Sequence, residues 1–389
     1  MIIAIRNGKV IFENKIADNL SVYIENGKII ALTNEDLPCD EKIDAQGRYV
    51  SPGFIDIHIH GAAGYDFLDN SAEAYNAISV ACAKHGATTI IPTITSSTAE
   101  NMKESVKVFE SVKDSCEGAS LAGIHFEGPY FSLSQKGAQD EKYIKAFDKE
   151  EYEGIINSTS SVIRWTAAPE LEGSKEFGQF LKSKGILPCT GHSDAECDCA
   201  IEAFKNGFTH VTHFYSCTSS IKRINGIRYA GIVEAAYLTD DMTVEIIADG
   251  MHLPADLLKL IYKIKGVKNI ALVTDSMRGA GMPDGPSILG GFEGGLHCIV
   301  EDGVAKLPDR SAFAGSVAFC DRLVKNMVNM AEVSLCDAVT MASLTPATIM
   351  NFKTKGRLQG GFDADIVIFD EDINIFCTIV QGKVVYKND

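Results

Sequence analysis

Apolar and β-branched positions recur along the chain in two rhythms. At the amino end, IIAIRNGKVIF and LSVYIENGKIIAL alternate apolar with polar residues around Asn7-Gly8 and Asn26-Gly27. An Asn-Gly pair between β-rich runs is a strong short-range hairpin signal, so both are read as turns. The last residues return to this style, with DADIVIFD and CTIVQGKVVY as strands and Gln381-Gly382 as a turn. Two β-rich ends flanking a different middle predict that the termini meet in one small β domain.

The middle alternates strand-like with helix-like segments. Apolar runs occur at GFIDIHIH, ATTIIPTIT, SLAGIHFEG, VIRWTAAPE, GILPCTGHS, FTHVTHFY, TVEIIADGMH and NIALVTDS. Between them lie helical patterns such as SSTAENMKESVKVFESVK, where Ser97 and Glu100 have capping-box spacing, and LPADLLKLIYKIKG, with Pro254 near its start. Strand then helix, repeated eight times over roughly 250 residues, predicts an α/β fold, a (β/α)8 TIM barrel. The alternative is a doubly wound open sheet, but no G-x-G-x-x-G turn follows the first strand, which disfavours its dinucleotide-binding form.

Composition narrows the function classes. The chain has 389 residues, 46% hydrophobic and 23% charged, and a formal charge of −16. That charge disfavours nucleic acid and anionic membranes as partners, and a small anionic substrate needs a local cluster of cations. No apolar run approaches the roughly 20 residues of a membrane span, and the first residues lack a signal-peptide pattern, so a cytoplasmic location is expected. The eleven cysteines include no C-x-x-C pair and are read as reduced thiols.

In a parallel barrel, chemistry sits where the strands end. The predicted strands end at His58/His60, Thr93/Thr95, His125/Glu127, Glu170, His192, His210/His213, Asp249/His252 and Asp275. Seven of the nine histidines fall there; His85 and His297 do not. Alternation puts His58 and His60 on one face, where they can grip a metal or be hydrogen-bonded core residues. His210, inside a strand, is read as structural, and Glu170 and Asp275 also suit helix caps. Taken together, histidine and carboxylate suit a divalent ion such as Zn²⁺ or Fe²⁺. An aspartate facing such an ion can take a proton from water and return it to a leaving amine, which describes hydrolysis of an amide or related C–N bond.

In order along the whole chain, SPGFIDIHIHG, GIHFEGPY, KGAQ, AAPE, GHS, THFYS, IADGMHLP, LVTDSM, GVAKL, FAGS and GFDADIVIFD resemble the amidohydrolase superfamily. Within it they resemble the N-acetylglucosamine-6-phosphate deacetylases. The resemblance implies a metal-bearing barrel over 51–355, a small β-sandwich from 1–50 and 356–389, and a homodimer. It implies one or two divalent ions, with Glu127, His192 and His213 as principal ligands and His58 and His60 at a second position. Asp275 matches the catalytic acid/base. His252, Ala138, Gln139, Ser216, Cys217, Phe313, Ala314 and Gly315 match substrate-contacting positions. AAPE carries no lysine, which argues against the subgroup that bridges its metals with a carbamylated lysine.

Two segments depart from the family pattern. KGAQ replaces KGAH, so Gln139 can donate a hydrogen bond but carry no charge. The loop after His213 becomes HFYSCTSSIKRINGIRYAG, which puts Ser216 and Cys217 where an Asn-Ala pair is usual. Lys222, Arg223 and Arg228 are its cations, and Arg228 with Arg223 is expected to serve a sugar phosphate. The implied activity is deacetylation of an N-acetylated amino-sugar phosphate. The alternatives are deacetylation of a different N-acyl sugar or acylated amine, or a non-catalytic binding protein on the same barrel.

Overall fold

The computed structural model describes residues 1–388. Eight parallel strands form the barrel, Phe54–Ile59, Ala87–Ile94, Ile124–Glu127, Val162–Ala167, Leu187–Thr190, His210–Val211, Thr243–Ile246 and Ile270–Leu272, and a short ninth, Ser120–Leu121, pairs beside the second. Each barrel strand lies in one of the eight predicted runs, and each pairs in parallel with the next. Backbone bonds join the first strand to the residues after the eighth: Asp275 N–H to His58 O and Ser276 O from His60 N–H, both 2.9 Å. Those bonds complete the circle, so the architecture is a barrel and the doubly wound alternative is excluded.

Helices alternate with the strands, from Ala72–Lys84 to Ala255–Lys265, and Cys320–Asn329 follows the eighth strand. Their apolar stripes bury against the outside of the strands, with Trp165, Phe177, Tyr130 and Tyr152 at the centre of an aromatic cluster. The helix Ala99–Val112 is capped by Thr98, whose hydroxyl accepts from Asn101 N–H, and the expected Ser97 cap is displaced by one residue. Ser97 instead accepts from the Asn101 side chain.

Both chain ends form a second, eight-stranded sheet with its own core of Ile5, Val22, Ile43, Val50, Ile366 and Ile379. The strand Tyr49–Pro52 joins the halves, pairing antiparallel with Ile366–Phe369, with Val50 opposite Ile368. Asn26-Gly27 and Gln381-Gly382 are tight turns with left-handed φ, as expected. Asn7-Gly8 is not a turn. It is an irregularity inside one strand, Ile2–Ile11, that lets this strand pair with Ile16–Glu25 on one side and with Glu41–Asp44 and then Tyr49–Pro52 on the other. A Cβ at Gly8 would lie 2.4 Å from Val50 Cγ2, so close strand approach, not reversal, is what the glycine permits.

A four-stranded antiparallel sheet, Gly285–Leu289, Leu296–Glu301, Val304–Lys306 and Phe313–Ser316, is inserted after the eighth strand. Among the described residues no helix is long and apolar enough to cross a membrane.

Candidate metal centre and active site

The strand ends bring the predicted residues together. Glu127 closes the third strand; His192 and His213 stand two residues beyond the fifth and sixth; His58 and His60 lie at the end of the first; Asp275 follows the eighth. All six are buried. His192, His213 and Asp275 have φ of 49°, 26° and 47°, a left-handed turn that aims each side chain back over the barrel mouth. Such backbone costs about 1–3 kcal/mol per residue and persists where the surroundings over-determine it. The Trp165 indole N–H, donating to Gly128 O at 2.8 Å, pins the chain just after Glu127.

Glu127 is the centre of the group. Its Oε1 lies 2.9 Å from His213 Nε2, 3.2 Å from His192 Nε2 and 3.5 Å from His58 Nε2, and its Oε2 lies 3.3 Å from His60 Nε2. Asp275 Oδ1 is 3.1 Å from His60 Nε2 and 3.4 Å from His58 Nε2. Two donor triads result, His58/His60/Glu127 and Glu127/His192/His213, each with ligand atoms within 4.8 Å of one another.

The opposite ring nitrogens test whether a cation fits. Nδ1 of His192 faces Gln135 O at 2.9 Å, that of His213 faces Ser216 O at 3.0 Å, and that of His60 faces Thr93 O at 3.2 Å. Nδ1 of His58 faces Glu245 Oε1 at 2.7 Å. A carbonyl or carboxylate demands an N–H there, so a neutral ring must turn its Nε2 lone pair inward. Four such lone pairs and two carboxylates then converge, and only positive charge holds them together. The same carboxylates also draw a proton onto a ring, so a proton competes with a metal ion for this cluster. Burial opposes charge on His60, yet Asp275 and Glu127 outweigh it and hold the imidazole well above its ordinary range. Burial likewise works against ionised Glu127, and His58, His192, His213 and His60 nevertheless hold it well below. The donor set fits a divalent ion.

Beneath the site the barrel interior is ionic. Glu245 is fully buried and pairs with buried Arg164 at 2.7 Å, while His210 Nε2 lies 3.1 Å from Glu245 Oε2. The other oxygen of Glu245 serves both His58 Nδ1 and the backbone N–H of His213, the latter at 3.0 Å. Sequence reasoning passed over Arg164 and Glu245. Their signal was a charged residue inside an otherwise apolar strand, in VIRW and TVEII. His210 is structural, as read, and His125 is held between Thr93 and Thr166. Glu170 caps no helix: it accepts from Ser193 Oγ at 2.6 Å and Asp194 N–H at 2.7 Å, holding the loop that carries His192.

A cavity of about 210 Å³ opens over these groups. Ala138, Ser216, Cys217, His252, Phe313 and Gly315 line it, and the inserted sheet adds Leu289 and Ala312, which the sequence did not reveal. His252 Nδ1 is tied to Asp249 Oδ2 at 2.8 Å, and its ring lies 4.8 Å from that of Phe313. The Ala314 side chain is not at the cavity: it is fully buried with Met277 and Val300 in the core of the inserted sheet. Gln139 borders the cavity but spends its amide on Glu127. Arg223 and Arg228 are not among the lining residues. They are paired opposite each other on an exposed hairpin, Lys222–Ile224 and Ile227–Tyr229.

Comparison with known proteins agrees with this geometry. Residues 49–385 match the Amidohydrolase family. The N-acetylglucosamine-6-phosphate deacetylase of Lysinibacillus sphaericus is 32% identical, over 98% of this chain and 97% of its own. The crystal structure of the Pasteurella multocida N-acetylglucosamine-6-phosphate deacetylase superposes with a TM-score of 0.92 at 28% identity, covering both chains in full. A mutant of the Mycobacterium smegmatis enzyme, in complex with N-acetyl-D-glucosamine-6-phosphate, gives 0.90 at 25% identity, over 100% of this chain and 99% of that one. A barrel of this topology, closed over this donor set and matched to those relatives along its length, belongs to the amidohydrolase family, in its N-acetylglucosamine-6-phosphate deacetylase branch.

Proposed function

We propose that the chain hydrolyses the acetamide of N-acetylglucosamine 6-phosphate to glucosamine 6-phosphate and acetate. The observation that carries this reading is the convergence of Glu127, His192 and His213 beside buried Asp275, under one cavity, in a chain whose full-length relatives bear that activity in their names. Those three residues hold a divalent ion, zinc or iron, and His58 and His60 form a weaker second position with Glu127. When bound, such an ion polarises a carbonyl oxygen and makes water more acidic.

The chain's own groups do the rest. Burial raises the Asp275 carboxyl, but His58 and His60 more than offset it, so the group stands ionised at neutral pH. In that form it takes the proton of the attacking water and then hands it to the amine nitrogen as the C–N bond breaks. His252, oriented through Asp249, offers its remaining ring nitrogen to a substrate oxygen. The Phe313 ring and the wall of Ala138, Ser216, Cys217 and Gly315 receive the sugar and displace water from the reacting bond. The unpaired thiols suit a reducing compartment, and we place the enzyme in the cytoplasm.

Metal analysis of the purified protein should return at least one equivalent of ion. His58→Asn together with His60→Asn should lower the count while the far-ultraviolet circular dichroism stays unchanged. An active, metal-free wild type would overturn the mechanism.

The exposed hairpin suggests how phosphate is reached. Ile221, Ile224 and Ile227 are solvent-exposed beside Arg223 and Arg228, an apolar and cationic arm suited to a second copy of the chain. In the dimer we infer, the arm delivers Arg228, helped by Arg223, to the partner's cavity. Arg228→Met should then raise KM for the 6-phosphate and leave the slow turnover of the plain sugar nearly unchanged. Losing one charged hydrogen bond costs about 1.5–3 kcal/mol, or about one to two decades in kcat/KM. A panel of phosphorylated and plain N-acetylglucosamine, N-acetylgalactosamine and N-acetylmannosamine tests the whole reading. Equal rates with and without phosphate would sink the substrate assignment and leave the amide chemistry standing.

A further inference from the structure

Gln139 lies in the loop after the third strand, at a position where the family resemblance implies a substrate contact. Its side chain is only 6% exposed, and both ends of its amide are engaged within the protein. Oε1 accepts from the Ser96 backbone N–H at 2.9 Å, and Nε2 donates to Glu127 Oε2 at 2.7 Å. These partners fix the orientation of the amide. Exchanging its O and N would set an oxygen against a carboxylate and an NH₂ group against an N–H donor.

The contact makes the two oxygens of Glu127 unequal. Oε1 faces His192 and His213 at 3.2 and 2.9 Å and is farther from His58, at 3.5 Å. Oε2 faces His60, at 3.3 Å, and already accepts the Gln139 amide. A donor at this distance occupies one lone pair of Oε2 and draws electron density from it, so Oε2 is the poorer ligand for a cation. The same bond holds the carboxylate plane in place, which favours delivery of Oε1 to the His192/His213 side.

We propose that Gln139 is a positioning residue for Glu127: it commits that carboxylate to the ion held with His192 and His213 and weakens the ion position at His58 and His60. The proposal rests on the metal reading given above, and its test separates the two. Apoprotein is titrated with Co²⁺, with binding followed by calorimetry and by the visible absorption of the cobalt sites. Wild-type protein should take one ion tightly and a second at least about tenfold more weakly. In Gln139→Leu, which keeps bulk and loses both polar ends, the ratio of the two constants should shrink by on the order of tenfold, the usual scale for one hydrogen bond to a charged group. Gln139→Ala should shift it the same way, and it decides the matter if the leucine variant does not fold. A ratio unchanged in the folded variant, or two equally tight ions in the wild type, overturns the role of Gln139. A wild type that binds no cobalt at all overturns the metal centre itself.

Discussion

Replacing Asp275 with asparagine should lower kcat by at least about two orders of magnitude, the usual scale of general acid–base catalysis. The amide keeps the shape of the carboxyl group and loses the basic oxygen that faces His60 at 3.1 Å. Backbone geometry should survive, because the left-handed turn at this residue is held by main-chain bonds: its N–H donates to His58 O, and its carbonyl accepts from Ser316. The proposed ligands Glu127, His192 and His213 are untouched, so at least one equivalent of metal should remain. Loss of turnover with metal retained separates proton transfer from ion binding. Near-normal turnover would move the base elsewhere, with His252, backed by Asp249, the next residue to test.

The second large effect is on stability. Glu245→Ala should destabilise the fold by about 3–5 kcal/mol, the cost of stranding one partner of a buried ion pair. Arg164 would then face the barrel interior with no carboxylate, and the His58 ring and the His213 N–H would both lose an acceptor. Calorimetry should show a lower Tm, and ion binding should weaken with it because both donor triads lose support. Adding Arg164→Met to Glu245→Ala should recover part of the loss, since the stranded charge is removed. If Glu245→Ala melts like the wild type, the ion pair beneath the site is not what holds it.

The barrel, and the histidines and acids gathered at its mouth, were legible in the sequence for one physical reason. Strands buried on both faces read as continuous β-branched runs, and histidines and acids placed just after such runs have few structural uses in common. The ionic pair inside the barrel was hidden because one Arg or Glu in a strand looks like ordinary alternation toward solvent. The inserted sheet was hidden because its strands are short and broken by glycines, as in GPSIL and FAGS. Asn7-Gly8 carries the dipeptide of a hairpin, but pairing with Tyr49–Pro52 keeps the strand running through it. The loop arginines follow His213 closely in sequence yet do not line the cavity, because they sit on an exposed hairpin. Gln139 was singled out in the sequence only through its place in KGAQ, whereas the target of its amide depends on Ser96 and Glu127 meeting in three dimensions.

The pairing of Tyr49–Pro52 with Ile366–Phe369 also sets an order of events during synthesis. The ribosome finishes the first of these strands long before the second exists, and at about 5–20 residues per second the wait is on the order of tens of seconds. Throughout it the nascent chain presents an unpaired β-edge beside a half-built apolar core. The barrel strands emerge within that interval, and they are available to pair with one another before the terminal sheet can close. Newly made chains should therefore be most exposed to aggregation, and most in need of a chaperone's cover, until the final strands leave the exit tunnel.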